Sequence, residues 1–560
     1  MNGTKDPVLL ALTGQLPFII GLAVIATLIV SWYVLRLYRR AVIKSMDRGV
    51  SATVNKSAAA HGNSGPATIS RVPLKLQLEQ AEGYHASHQL YDQALNGRKT
   101  AIKVYGAAGL ANALVVTTAI LLSSGFDFLP LRFLNVFWVY AWPLALTMIL
   151  ISATSRRDML VWGGGYFAVF TVLAIVALAS SPTLTLLQPI SLWAVTNLPA
   201  TVLMLVALAR PIRAVSPLVL VLMILAFTGS VVAVSVVGGN ENLLRGIVGA
   251  AFRLGMGATS TFLAINLLGF ALFAALGWLA ANWIRRGYTG KRLNDQSLTL
   301  DALWFLFTVF VTISLAFNGH GWALFGPVAF VAYKLVVQAG FKIAYAQRSA
   351  HLANAGLLLL RVFSLGKRSA RLFDAVTKHW RYLGNVQLIA GPDLATTTVE
   401  PHEFLGFISG RIEREFIGGP GDLDQRQEAL DTRPDFDGRY RVHDFFCYAD
   451  TWPMVLSVLV QRNATVLMDL RGFTRQNAGC MHELNELVNV VPLQRVVLVV
   501  DGATDSPFLQ ETLAGAWAGM RADSPNVKEQ LAELSIVRMH ELTTHGVIGL
   551  VRRLCKAAAS

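Results

Sequence analysis

The sequence predicts two structural classes in one chain: a multi-pass α-helical membrane region of about nine spans, then a C-terminal α/β domain with a doubly wound parallel sheet. Three observations carry this expectation. Of 560 residues, 54% are hydrophobic and only 15% charged, against roughly a quarter charged in soluble domains. Apolar runs of about 20 residues, the length that crosses a hydrocarbon core of about 30 Å, recur as far as Tyr345 and then stop. Beyond about His351, short apolar runs alternate with amphipathic helical patterns, as parallel strands covered by helices on both faces require.

The length filter places spans at about Leu16–Tyr38, Val104–Ser124, Phe133–Ala153, Met159–Ser180, Ile190–Ala209, Pro217–Val237, Ser260–Ile284, Leu300–Phe317 and Trp322–Tyr345. The first lacks the basic leader and A-x-A site of a cleaved signal peptide. Arg36, Arg39, Arg40 and Lys44 follow it directly, so residues 1–38 read as a signal anchor. Residues 39–103 read as a loop with a flexible linker over Ser57–Ser70. After the linker, an amphipathic helix is expected over Leu74–Leu95, with Leu74, Leu78, Tyr84, Leu90 and Leu95 as its apolar points. The remaining eight spans form a polytopic region over 104–345. Gly246–Gly257, with Arg245 and Arg253 beside it, lies in the interface or extends a span.

Charge sets the expected orientation. The net charge of +14 could serve nucleic acid, but no dense basic tract with interleaved aromatics carries it. Instead Arg156, Arg157, Arg210, Arg213, Arg285, Arg286, Lys291 and Arg292 fall in alternate short loops. That bias makes those loops cytoplasmic, with the N-terminus outside and the C-terminus inside. A plasma (inner) membrane protein with the bilayer as partner is the resulting expectation. Trp138, Trp142, Trp162, Trp193, Trp278, Trp283, Trp304 and Trp322 read as an aromatic belt near span ends. Lys334, about twelve residues into the last span, is the one charge at depth, and no acidic partner is evident in another span. Asn197, Asn266 and Gln338 are candidates for interhelical hydrogen bonds, and Gly163-Gly164-Gly165 for close helix packing. His320 reads as a loop residue.

In the domain over 351–560, strands are expected at Gly356–Phe363, Val386–Ala390, Arg441–Cys447, Ala464–Leu470, Arg495–Val500 and Ile536–Met539. Helices are expected at Ser369–Leu383, Pro401–Phe416, Thr451–Gln461, Ala478–Val490, Phe508–Met520 and Thr543–Lys556, and an exposed loop at Gly418–Gly438. Cys447, Cys480 and Cys555 show no paired framework and no CxxC spacing, as suits a reducing compartment. No metal site is predicted, and no GxSxG, HExxH or phosphate-loop motif is present. Lys367 and Arg368 occupy a Gly-containing turn ahead of the first of these helices. Asp393, Asp469 and Asp501 fall at strand ends, where such sheets bind ligands. Lys367, Arg368 and Asp469 are therefore candidate cofactor contacts. A solvated basic turn and an Asp469–Arg471 ion pair are the plainer alternatives.

The passage VLMDLRGFTRQNAGCMHELNEL (Val466–Leu487) joins a strand to a helix that opens Ala478-Gly479-Cys480-Met481-His482-Glu483-Leu484. Upstream, LRVFSLGKRSARLFDAVTKHWRYLG and VQLIAGPDL supply a strand, helix and loop in the same order. On these residues Leu357–Ala557 resembles the Toll/interleukin receptor (TIR) domain family and its wider, flavodoxin-like superfamily. Gly479 stands where the family usually has Trp, and Ser364–Arg368 replaces the family's polar signature. The resemblance implies a signalling or interaction domain that binds a protein partner or self-associates. Some members cleave NAD with the glutamate of this helix, which implies Glu483 as a catalytic position and NAD as its cofactor. A carboxylate there can stabilise an oxocarbenium-like centre as nicotinamide leaves. Equally, it can cap or solvate the first turn of a helix. A transporter with a regulatory domain is a third class, for which no substrate pathway is visible.

Overall fold

The computed structural model describes every residue except 1–6, 54–72, 85–87, 154–155, 208–214, 347–354, 362–366, 391–415, 429, 449 and 529–531. The Ser57–Ser70 linker and all of the Pro401–Phe416 helix but Phe416 fall outside the described residues. The chain divides into two compact units, one built mainly from residues 1–37 and 102–343, the other from 38–101, 344–399 and 406–560.

Long apolar runs form α1 (Pro7–Thr53), α2 (Gln89–Ser123), α3 (Pro130–Tyr140), α4 (Trp142–Ser152), α5 (Arg156–Ser180) and α6 (Leu187–Ala207). They continue as α7 (Ser216–Gly239), α8 (Glu241–Arg253), α9 (Ala258–Thr289), α10 (Asp295–Ala316), the short α11 (His320–Ala323) and α12 (Phe325–Ala346). Among the described residues, eight helices are long and apolar enough to cross a membrane, and nine if the bent α3–α4 pair is one span. These coincide in order with the nine sequence-predicted spans. The 43° bend between α3 and α4 has a local cause. Pro143 has no N–H to give the Val139 carbonyl four residues earlier, and Asn197 Nδ2 donates to that oxygen instead, at 3.0 Å.

Two expectations about side chains in this unit need correction. Trp304 and Trp142 are buried rather than part of a belt. Trp304 Nε1 donates to the Thr147 hydroxyl, and Trp142 Nε1 to that of Thr201. Trp138, Trp142 and Trp193 gather around Tyr166 and Phe167. Gly163, Gly164 and Gly165 do not mediate close packing, because a Cβ on any of them would meet nothing within 4 Å. The close approach is between α7 and α9, where a Cβ on Gly229 or Gly269 would collide with the other's carbonyl oxygen. Beside it the Ser230 hydroxyl donates to Asn266 Oδ1 at 2.9 Å. Gly269→Leu should therefore force these helices apart and cost about 1–3 kcal/mol or more, read as thermal stability in detergent. Gly164→Leu should leave that stability unchanged.

The second unit is a parallel sheet of eight strands: β1 (Lys75–Gln80), β2 (Leu357–Arg361), β3 (Val386–Ala390), β4 (Phe416–Ile417), β5 (Val442–Cys447), β6 (Thr465–Asp469), β7 (Val496–Val500) and β8 (Glu533–Arg538). Described helices between them are α13 (Lys367–Trp380), α14 (Pro420–Glu428), α15 (Trp452–Arg462), α16 (Ala478–Val490) and α17 (Ser506–Ala518), with α18 (Thr544–Ala558) after β8. Every residue of β2, β6 and β7 is buried, as central strands of a sheet covered on both faces must be. The strand order is β1-β8-β7-β6-β2-β3-β5-β4. Within it β5-β3-β2-β6-β7-β8 follows the 3-2-1-4-5-6 order of doubly wound folds, and the inner β3-β2-β6-β7-β8 follows 2-1-3-4-5. Chain direction reverses between β2 and β6, and ligand crevices of such sheets open at the carboxyl ends of the strands on either side.

Four sequence expectations fail here. Leu74–Leu95 is not one helix: Lys75–Gln80 is an edge strand paired in register with Glu533–Arg538, and helix resumes only at Gln89. Leu74, Leu76 and Leu78 alternate with period two, and Leu74 and Leu76 pack on the sheet core. The sheet domain thus does not begin at 351, because its first strand precedes the long apolar helices α3 to α12. Phe416, expected to end a helix, lies in β4. Gly418–Gly438 is not simply an exposed loop, since it contains α14 and buries Asp435 and Asp437. Arg441 Nε donates to Asp435 at 3.0 Å, and Gly438 turns the chain at φ +77°, a region open to glycine at little cost.

Candidate functional site

Glu483 sits on the second turn of α16. That helix follows the β6 loop, where Gly472 adopts φ +69° and Asn477 Oδ1 accepts the Thr474 amide at 2.8 Å. Leu484 and Leu487 lock α16 onto the core. One turn before Glu483, the Cys480 thiol lies 3.8 Å from the Arg361 carbonyl oxygen, which aims this helix face at the end of β2. Glu483 is only 2% exposed, and its Oε2 has no hydrogen-bond partner. Burial pushes the carboxyl up to about 8, against an opposing pull from the Arg361 guanidinium. Neither capping nor solvating a first turn describes this residue.

Glu483 and Arg361 line a hollow completed by Leu359, Leu360, Phe373, Leu388 and Ile389. Among the described residues its volume is about 10 Å³, room for about one water. Arg361, 5% exposed at the last position of β2, is the site residue that sequence reasoning passed over. Its signal was an arginine closing the run Leu357–Leu360, where a buried strand offers no solvent for a guanidinium.

Of the expected cofactor contacts, Asp469 and Arg368 do not line this hollow, although Asp469 pairs in register with Arg361. Asp469 is fully buried and accepts from Arg471 Nε and Nη2, both at 2.7 Å, and from the Ser369 hydroxyl at 2.7 Å. It is the ion pair within the loop that the sequence offered as the plainer alternative. Arg368 Nη2 lies 2.5 Å from Asp501 Oδ2. Burial raises the Asp501 carboxyl, but amide donors from Gly472 and Ala503, Arg368 and the Thr504 hydroxyl outweigh it and hold it below the usual range. Lys367 opens α13, but its side chain lies outside the described residues, as does Asp393. Among the described residues no three His, Cys, Asp or Glu side chains group as metal ligands.

No protein-family model matches the chain, and no curated protein sequence matches it.

Lys334 has the partner that sequence reading found absent. Asp301, on the second turn of α10, places Oδ2 2.6 Å from Lys334 Nζ. Asp301 Oδ1 and the neighbouring Tyr333 hydroxyl are buried without a hydrogen-bond partner, and Tyr333 stacks on Trp304 at 5.0 Å. Asp301 escaped notice because it falls one residue inside the sequence-predicted span, where an acid reads as a boundary residue.

Proposed function

We propose that this is a polytopic membrane protein, N-terminus outside, whose sheet domain works in the cytoplasm as a TIR-like binding or signalling domain. The helical unit acts as anchor or sensor. The observation that carries this reading is the splice between the two units: the chain completes β1, passes through α2 to α12, and only then builds β2 to β8. A sheet whose edge strand β1 lies between α1 and α2, and whose central strand β2 follows α12, is covalently tied to the helical unit at more than one point, as an output domain needs. The inner 2-1-3-4-5 strand order and the place of Glu483 beside the reversal point support the family resemblance.

Affinity purification of the full-length protein in detergent, followed by mass measurement, tests the reading. A dimer or a stoichiometric co-purifying protein is expected; a monomer without a partner contradicts it.

A second reading, NAD cleavage by Glu483, is favoured by one observation. A buried, unpartnered carboxyl beside an arginine is costly to maintain, and such groups concentrate at functional sites. The water-sized hollow weighs the other way, so binding ranks first. Incubating the full-length protein with NAD and assaying free nicotinamide separates the two. No release is expected, and release abolished by Glu483→Gln would move the assignment to the enzyme.

A further inference from the structure

We propose that α8 is an interfacial helix that lies in the headgroup layer of the bilayer and binds lipid rather than protein. Helical spacing gathers Leu243, Leu244, Ile247 and Ala251 on one face of α8, with Val248 at its edge, and Asn242, Arg245, Gly249 and Arg253 on the other, where Phe252 lies beside Arg245. Of the apolar set only Ala251 is buried, while Leu243, Leu244 and Val248 are exposed. A soluble protein rarely leaves such an apolar face open to water.

The chain itself names the occupant. α8 begins two residues after α7 ends, with only Asn240 between them, and α9 starts at Ala258 after a short turn through Gly255, φ +73°. The Asn240 side chain caps α8 by accepting the Leu243 amide at 3.1 Å, which fixes the break from α7. If α7 and α9 cross the membrane, as proposed above, α8 is held at the depth of their ends. Thirteen residues at about 1.5 Å each give about 20 Å, too short to span a core of about 30 Å. An amphipathic helix of that length, held at that depth, lies along the interface with its apolar face among acyl chains and its arginines toward water. Glu241, at the boundary of the two faces, pairs with Arg245 at 2.5 Å, so neither charge lies on the apolar face.

The test uses single cysteines carrying nitroxide labels, in the full-length protein reconstituted into phosphatidylethanolamine–phosphatidylglycerol vesicles. Cys447, Cys480 and Cys555 are buried and react slowly in the folded protein. Labels at Leu243→Cys and Leu244→Cys should show a several-fold excess of collisions with oxygen over a water-soluble nickel chelate. Labels at Asn242→Cys and Arg253→Cys should show the reverse. Equal nickel access at all four positions overturns the proposal, and so does exclusion of both reagents at 243 and 244, which would mean a protein cover such as a second copy. A label at exposed Leu268 of α9 separates the two failures. Oxygen access there with a water-exposed α8 defeats only this inference, whereas nickel access at Leu268 defeats the membrane reading itself.

Discussion

Glu483→Gln is expected to stabilise the sheet domain by about 4 kcal/mol at pH 8 and by less than about 1 kcal/mol at pH 5. The folded carboxyl holds its proton up to about 8, against an ordinary value of 4.5. Its contribution to stability is therefore intact below about pH 4.5 and is lost as pH rises toward 8. Glutamine keeps the shape and polar demand of the protonated acid without the charge, so it escapes that loss. Hydrogen exchange of peptides from β2, β6 and β7 in the full-length protein, at both pH values, reads the difference. A variant less stable than the parent at both would show that Glu483 makes a structural hydrogen bond. A gain confined to high pH marks it as a group retained at the expense of stability, the usual signature of function.

Lys334→Ala is expected to cost about 3–5 kcal/mol, because it strands the Asp301 carboxylate among apolar helices. The pair joins α10 to α12 in a setting where the Asp301 side chain is 17% and that of Lys334 23% exposed. Replacing both together, Asp301→Asn with Lys334→Met, should return stability to near the parent, since a buried pair contributes little net once its desolvation is counted. Thermal unfolding in detergent measures both variants. If the single and the double substitution cost the same, the pair is not the source of the loss.

How far the fold could be read from the sequence depended on the kind of signal. β3 and α16 match their sequence-predicted limits because a buried strand run and an amphipathic helix each carry a strong period. The long apolar helices were equally legible, since length and apolarity alone define them. β1 was not, because an edge strand buries little, and its leucines also satisfied helical spacing when Tyr84 and Leu90 were counted with them. At the site, Glu483 was reached through the family resemblance, but its burial was not. Whether a carboxylate caps a helix or points into a core depends on how the helix docks, and here Leu484 and Leu487 decide that. Arg361 and Asp301 eluded a linear reading for one reason: each is a charge at the edge of an apolar run, where only the fold shows it to be buried; Asp435 eluded it because it lies in a polar stretch that reads as a loop.

The proposed topology puts a sheet whose strands flank α2 to α12 in sequence on one side of a bilayer. Labelling of single cysteines with a membrane-impermeant maleimide, in intact cells and in inverted membrane vesicles, tests it most directly. Gln80→Cys at the end of β1 and Glu511→Cys on α17, both exposed, should be silent in intact cells and labelled in inverted vesicles. Leu184→Cys, in the exposed α5–α6 turn, should show the opposite. Labelling of Gln80→Cys and Glu511→Cys from opposite sides, or of both from outside, would contradict the account.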